Sequence, residues 1–355
     1  MDQTVLALLP PVPDDNNHNA VLSSKPGFHV RPPPPPHELH SPITPDSSLF
    51  QTIHMATPTI SRSAWRLTVD GLVERPYAID WNLLMQLGER HGRTVESVHE
   101  CYGSPLKPPV EAVRRVGNVC WFGVPLKVLL DLAGTLGDDA AFIWADGLDF
   151  GSFGGVDAEK YQKDLPLSKA LHDDVLVAWL MNGSPLSVER GGPVRLVVPG
   201  WFGTNSVKWV GRLSVQAERA KGPFTTRFYN ELVPGKEAEG IMRPVWRVEV
   251  NSIICSPAPG EVVRVGDVEL WGWCWCCGDE DEIAGVEIVL DQSAETARAA
   301  ILAPRDGPAW QRWSVSLDVT EGAHTVYARA RTMKGDNQPL QNRRNEVHQV
   351  VFKFG

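Results

Sequence analysis

The chain has 355 residues, 43% hydrophobic and 22% charged, which is the balance of a soluble globular protein with room for two domains and a tail. Its formal net charge of -9 argues against nucleic-acid and anionic-membrane partners, both of which require clustered positive charge. No run approaches the roughly 20 apolar residues that span a bilayer. The opening residues also lack the basic start and small-residue cleavage site of a secretory signal, so the expected location is intracellular, in the cytoplasm. The six cysteines (Cys101, Cys120, Cys255, Cys274, Cys276 and Cys277) are read as reduced thiols rather than a disulfide framework.

Residues 1–48 carry the run Pro32 to Pro36 among Asn, Asp and Ser, with little periodic apolar sequence, and read as a surface or unstructured tail. Trp65, Leu67 and Val69 then alternate with polar neighbours before the turn Asp70-Gly71, which predicts a strand and hairpin. Asp80 caps a predicted helix whose Leu83, Leu84 and Leu87 share a face, with Gly88 as its stop. A second helix carries Leu126, Leu129, Leu130 and Ala133 and stops at Gly134. Strand-like runs at 176–180 and 194–198 are separated by the turn Asn182-Gly183. After about Pro244 the pattern is purely β: Val263 and Val265, Val286, Ile288 and Leu290, Trp313, Val315 and Leu317, Val326 and Ala328, and Val350 and Phe352 alternate with polar residues. This predicts an antiparallel sandwich of about 100 residues. The fold class is therefore α+β: a mixed domain at 49–246 followed by an all-β sandwich at 247–355.

Three constellations carry possible chemistry. In His99-Glu100-Cys101-Tyr102-Gly103-Ser104 a thiol follows a β-like stretch beside glycine, where it can approach a cofactor. A thiolate suits a metal with soft co-ligands, while the plain alternative is a buried structural cysteine. In the segment from Arg190 through Gly191, Gly192 and Arg195 to Gly203, Thr204, Asn205, Ser206 and Lys208, two glycine-containing turns flank a β run. Backbone N–H groups with Arg and Lys suit a phosphate-bearing cofactor, while two ordinary hairpin turns with surface cations are the alternative. Finally, Trp273-Cys274-Trp275-Cys276-Cys277 lacks the spacing of a zinc site and reads as packing.

Taken in order, these segments resemble the sulfite oxidase family of molybdopterin enzymes over residues 43–355. The stretch from Phe50 through His54 to Pro58 is similar to the family's FxxRNHxxxP, and WRLTVDGLVERP at 65–76 to its next landmark. Cys101-Tyr102-Gly103-Ser104-Pro105-Leu106 takes the place of CAGN(R)R. Gly117 to Leu126 is similar to GNxxWxGVPL, and Ala145-Asp146-Gly147, Met181 to Leu186, Gly192-Pro193-Val194-Arg195 and VPGxxGxxxVKW (198–209) follow in order. The sandwich, with its WGWxW strand at 271–275, is similar to the family's immunoglobulin-like dimerisation domain.

The resemblance implies a molybdenum–molybdopterin cofactor with Cys101 as metal ligand and catalytic residue. It places the pterin phosphate against His54, Arg190, Arg195, Ser206 and Lys208 and the turn holding Gly203 and Thr204. It also implies a homodimer, to which the sandwich tryptophans Trp271, Trp273, Trp275, Trp310 and Trp313 are expected to contribute, and a separate electron acceptor. Five departures from the family pattern define the expected substrate pocket. Arginines of the family fall on Thr52, Leu106 and Asn205, a tyrosine falls on Trp179, and a histidine falls on Arg190, which restores one charge. Thr52, Trp179 and Asn205 beside Cys101 then make a more neutral pocket. The implied reaction is oxygen-atom transfer at a sulfur-containing substrate other than sulfite. The rivals are a sulfite oxidase with a rebuilt anion pocket and a catalytically silent cofactor-binding scaffold.

Overall fold

The computed structural model describes residues 9–12, 21–103, 114–264, 266–278, 281–305 and 307–355. Two sheets build the first half. One has the order Gln162–Pro166, Phe142–Gly147, Val210–Gln216, Arg66–Gly71 and Tyr77–Asp80, antiparallel except where Val210–Gln216 runs parallel to Arg66–Gly71. The other runs Ser184–Pro185, Leu176–Met181, Val116–Pro125 and Arg93–Glu100, with Arg195–Val197 also paired to Leu176–Met181. The turn predicted at Asn182-Gly183 is present, closing a short hairpin with Ser184–Pro185, and both residues take positive φ (51° and 76°) as the tight turn requires.

Strand outweighs helix in the described first half, so the mixed reading holds only in part. The described helices of the first half are Trp81–His91, Leu126–Leu132, Leu167–Ala170 and Pro223–Thr226. Strand dominates because runs such as Leu176–Met181 are buried on both faces and so are continuously apolar rather than amphipathic. Asp80 does cap the first helix, accepting from the Leu83 N–H at 2.9 Å. Gly88 does not end it: the helix continues to His91. A Cβ at Gly88 would lie 2.6 Å from the Trp179 ring, so the glycine serves close packing rather than termination.

The second half folds as two facing sheets. Asn251–Ser256, Gly266–Trp275, Gln311–Val319 and Ile301–Leu302 form one, and Val262–Val263, Gln349–Phe354, Gly322–Thr332, Ile283–Leu290 and Arg298–Ala299 the other. Leu270, Trp313 and Leu317 from the first meet Ile288, Val326 and Phe352 from the second in one buried core, as the period-two alternation anticipates.

Two expectations are corrected here. The described part of the expected tail is woven into the fold. Val21–Pro26 pairs with Ala56–Ile60, His29–Arg31 pairs with Gln51–Ile53, and Leu39 and Thr44 are buried. These are two separate two-stranded pairings, and neither uses the run Pro32 to Pro36, which has too few N–H donors to pair. The tryptophans assigned to a dimer contact are used within the chain. Trp313 is core, while Trp273, Trp275 and Trp310 pack with Val98, Val116 and Phe202 of the first half. Trp273 and Trp310 stack at 4.6 Å, and their indole N–H groups donate to Leu39 O and Pro42 O at 2.8 Å each. Trp271 is half-buried, edge-on to Trp273.

Candidate active site

The strand Arg93–Glu100 ends one residue before Cys101. Alternation along it sends His99 and Cys101 into one cavity while Glu100 points the other way, toward Trp275. The cavity, about 680 Å³ including its open mouth, gathers Thr52, His54, His99, Cys101, Asp149, Tyr161, Arg190, Arg195, Gly203, Thr204, Ser206, Lys208 and Tyr229. Segments far apart in sequence supply it: the loop before Ala56–Ile60, the end of Arg93–Glu100, the strand Arg195–Val197 and the turn Gly203–Asn205.

One end is cationic. Arg195 is buried, and its guanidinium reaches only carbonyls, Arg190 O and Ser206 O at 3.0 Å each, while lying 4.8 Å over the Trp121 ring. Burial, then the neighbouring Arg190, pulls its pKa down to about 9, which still leaves it charged at neutral pH. Lys208 donates to Glu189 O (2.8 Å) and Thr52 O (3.1 Å), and burial with Arg195 and Arg190 nearby drives its pKa well below the ordinary value. Buried cations facing carbonyls alone are costly until an anion arrives. Arg190 differs. It is paired to the carboxylate of Asp46 and donates to Phe50 O at 2.6 Å and Leu49 O at 2.9 Å, so its charge is already balanced although it lines the cavity.

The remaining wall is neutral. Burial, aided by Lys208 and Arg115, lowers His54 to about 3, and it shares a short hydrogen bond with the Tyr229 hydroxyl. His99 is pushed well below its ordinary value by burial and by Arg195, and stacks on Phe50 at 5.3 Å. Asp149 is raised to about 7 by burial, partly opposed by its own backbone N–H and by Lys208. Tyr161 donates to Thr204 O at 2.8 Å, and a Cβ on Gly203 would lie 2.8 Å from the His99 ring, so glycine there keeps the turn close against that wall. Ser206 holds the turn by accepting from the Val198 N–H at 3.0 Å.

Thr52, whose carbonyl Lys208 reaches, also places its Oγ1 3.8 Å from Cys101 Sγ. Arg115 donates to that same Thr52 oxygen at 3.2 Å and also bonds Gly103 O. This alters the picture of a neutral pocket. Of the four residues invoked for it, Thr52 faces the cavity and Leu106 lies outside the described residues. Trp179 packs against Gly88 and edge-on to Phe122 at 5.2 Å, away from Cys101. Asn205 is buried behind the turn, donating to Phe202 O (3.0 Å) and Val245 O (3.1 Å), so it anchors the turn instead of facing a substrate. A guanidinium, that of Arg115, stands beside Thr52 instead.

Sequence reasoning missed Arg115, His99, Asp149, Tyr161 and Tyr229. His99 was legible, since it lies two residues before Cys101 on a strand and must share its face. Asp149 sits just past the Ala145-Asp146-Gly147 landmark, whose own Asp146 is instead bound to Lys160 and Gln162. The other three had no local signal. Among the described residues no group of three or more His, Cys, Asp or Glu is gathered to hold a metal, so the chain offers a metal here one soft ligand, Cys101. The unbalanced cations and the close-set Gly203 turn fit a cofactor that brings its own phosphate.

The family comparison agrees with this geometry. Residues 54–224 match the oxidoreductase molybdopterin binding domain, and residues 242–351 match the Mo-co oxidoreductase dimerisation domain. Human mitochondrial sulfite oxidase is 30% identical over 335 residues, covering 87% of this chain and 59% of the relative. Barley nitrate reductase is 27% identical, covering 90% of this chain and 39% of the relative. The chain thus spans about 60% or less of the length of these curated relatives. The solved sulfane dehydrogenase SoxCD of Paracoccus pantotrophus superposes with a TM-score of 0.75 at 26% identity, over 89% of this chain and 82% of that one. Fold and family match define the class as the molybdopterin-binding oxidoreductases. Within that class the chain belongs to the sulfite oxidase family, whose cofactor is molybdenum–molybdopterin, and the residues gathered at the cavity fit such a group. No described helix is long and apolar enough to cross a membrane.

Proposed function

We propose that this chain carries out oxygen-atom transfer at the sulfur of a substrate other than sulfite, as a homodimer that passes electrons to a separate acceptor. The observation that carries the reading is the juxtaposition of Cys101 with Thr52 in a cavity lined by Arg195 and Lys208, with Arg115 behind Thr52. Arg195 and Lys208, with the Ser206 and Gly203–Thr204 turn, would hold the pterin phosphate by charge-assisted hydrogen bonds. His54 and Tyr229 would wall the pterin, and the Cys101 thiolate would ligate the metal. When bound, the cofactor supplies two-electron redox chemistry coupled to oxygen transfer. The protein contributes position and charge: Arg115, bonded to Thr52 and Gly103 beside Cys101, sets one positive charge behind that wall, which suits a singly charged or neutral sulfur group.

Arg115 also supports a second reading, a sulfite oxidase whose anion site is rebuilt from this residue. Steady-state kinetics on molybdenum-loaded protein separate the two. The first reading expects sulfite to be turned over with a high KM and a small organic sulfur compound with a lower one, since lost ground-state contacts raise KM before they lower kcat. Efficient sulfite oxidation abolished by Arg115→Met selects the second. Cys101→Ser should retain fold and pterin yet lose turnover by more than about 100-fold, beyond what loss of an outer-sphere partner brings. Full activity in that variant sinks both readings.

A further inference from the structure

Cys101 is flanked in the chain by Glu100 and Tyr102, and both side chains leave the cavity for the opposite side of the backbone. Glu100 is fully buried. It accepts from the Trp275 indole at 2.9 Å and from Arg344 at 3.2 Å, and both donors belong to the sandwich. Arg344 in turn donates to Glu249 at 2.7 Å, and Glu249 also accepts from Arg343 at 3.1 Å. The other oxygen-side neighbour of Glu249 is Arg243, 3.7 Å away, which donates to Glu231 at 2.7 Å. Glu231 accepts from the Tyr102 hydroxyl at 3.2 Å. The series Glu100, Arg344, Glu249, Arg243, Glu231, Tyr102 thus starts at one neighbour of Cys101 and returns at the other. Its middle is stacked as well: the Arg344 guanidinium lies 4.3 Å over Phe202 and 5.2 Å over Tyr102, and Phe202 adjoins the Gly203 turn of the cavity.

We propose that this closed ring is a positioning device for the metal ligand: Arg344 and its partners, reaching in from the sandwich, fix the backbone on both sides of Cys101 and so aim its thiolate into the cavity. The physical case is one of alternatives. The strand ends at Glu100, and beyond it the Cys101 N–H keeps one backbone hydrogen bond, to Arg115 O at 2.9 Å. That bond alone would leave the peptide free to swivel about it; ties on Glu100 and Tyr102 remove that freedom. With Arg343 on Glu249, three guanidinium groups meet three carboxylates, so the assembly is balanced without any ligand and adds no charge requirement of its own. Several members (Glu231, Arg243, Glu249, Arg343) line the cleft between the two halves, so the sandwich's seating is read out directly at Cys101.

The inference rests on Cys101 being the metal ligand, and its test separates the two ideas. Arg344→Met, Arg344→Lys and Tyr102→Phe are prepared in the full chain. Loaded protein is read by Mo(V) electron paramagnetic resonance, molybdenum content and a kcat-against-KM split. Cofactor-free protein is read by the rate at which iodoacetamide alkylates Cys101, followed on its own peptide. Arg344→Met should keep its molybdenum, shift the Mo(V) signal and lower kcat about tenfold or more with KM little changed, the mark of lost positioning. Cys101 alkylation should rise with it, and Arg344→Lys should recover part of each effect. Tyr102→Phe, which removes a single hydroxyl and decides the matter if Arg344→Met fails to fold, should shift the same readouts in the same direction by about threefold. An unchanged Mo(V) signal together with parental alkylation rates overturns the positioning role. If Cys101→Ser protein gave the parental Mo(V) signal, the ligand assignment would fail while the alkylation result stood by itself.

Discussion

Two charged assemblies lie on opposite sides of the short segment around Cys101, and they are built differently. On the sandwich side, Glu100, Glu249 and Glu231 alternate with Arg344 and Arg243, and every charge meets its opposite at hydrogen-bonding distance or close to it. On the cavity side, Arg195 is buried and Lys208 half-buried, yet they face carbonyls, and their pKa values are pulled down accordingly. Folding tolerates an unbalanced buried charge only where something compensates it. The balanced assembly is therefore complete within the chain, whereas the unbalanced one fits an anionic ligand, as proposed above. Arg190, which also lines the cavity but is tied to Asp46, shows that the fold can neutralise a cation there when no ligand needs it.

The contrast predicts opposite consequences for removing one charge from each side. Glu100→Ala should lower the stability of the cofactor-free protein by about 3 kcal/mol, because it strips a buried partner from Arg344. Thermal or urea unfolding that shows no loss would mean the ring is not coupled as its distances suggest. Lys208→Met should do the reverse. Stability without cofactor should be unchanged or raised, while affinity for the cofactor drops about 10- to 100-fold, the loss of one charge-assisted hydrogen bond. A variant that loses stability but keeps its molybdenum would break the comparison.

The smallest expected effect is on pH dependence. Asp149, raised to about 7, is protonated below that pH and adds no negative charge to the phosphate end. An arriving anion raises it further and also raises Lys208, so binding takes up protons. Affinity is then greatest below pH 7 and declines as pH climbs through 7, by at most about tenfold per pH unit for each proton coupled. Calorimetry of cofactor-free protein in buffers of differing ionisation enthalpy reads the uptake directly. Asp149→Asn should flatten the dependence near neutrality, and a dependence that persists unchanged assigns it to other groups.

Much of this molecule was legible before any coordinates. Period-two alternation announced the sandwich, Asn182-Gly183 its hairpin, Asp80 its cap, and the order of motifs the family, because each is a local property of chain chemistry. Cys101, Thr52, His54, Arg195, Ser206 and Lys208 could be named for the same reason, each standing at a motif position. What the sequence could not disclose were pairings made at long range. Whether Arg190 is free or bound depends on Asp46, 144 positions away. Trp179 and Asn205 stand at motif positions yet face Gly88 and the carbonyls of Phe202 and Val245, since the direction of a side chain follows from its element's packing. Arg115 reaches Thr52 only because two distant segments close together, and the tryptophans of the sandwich found their apolar partners within the same chain. Residue types and spacing determined which chemistry this protein could carry; the three-dimensional closure of segments decided which of those charges remained unpaired, and an unpaired buried charge is what makes a site.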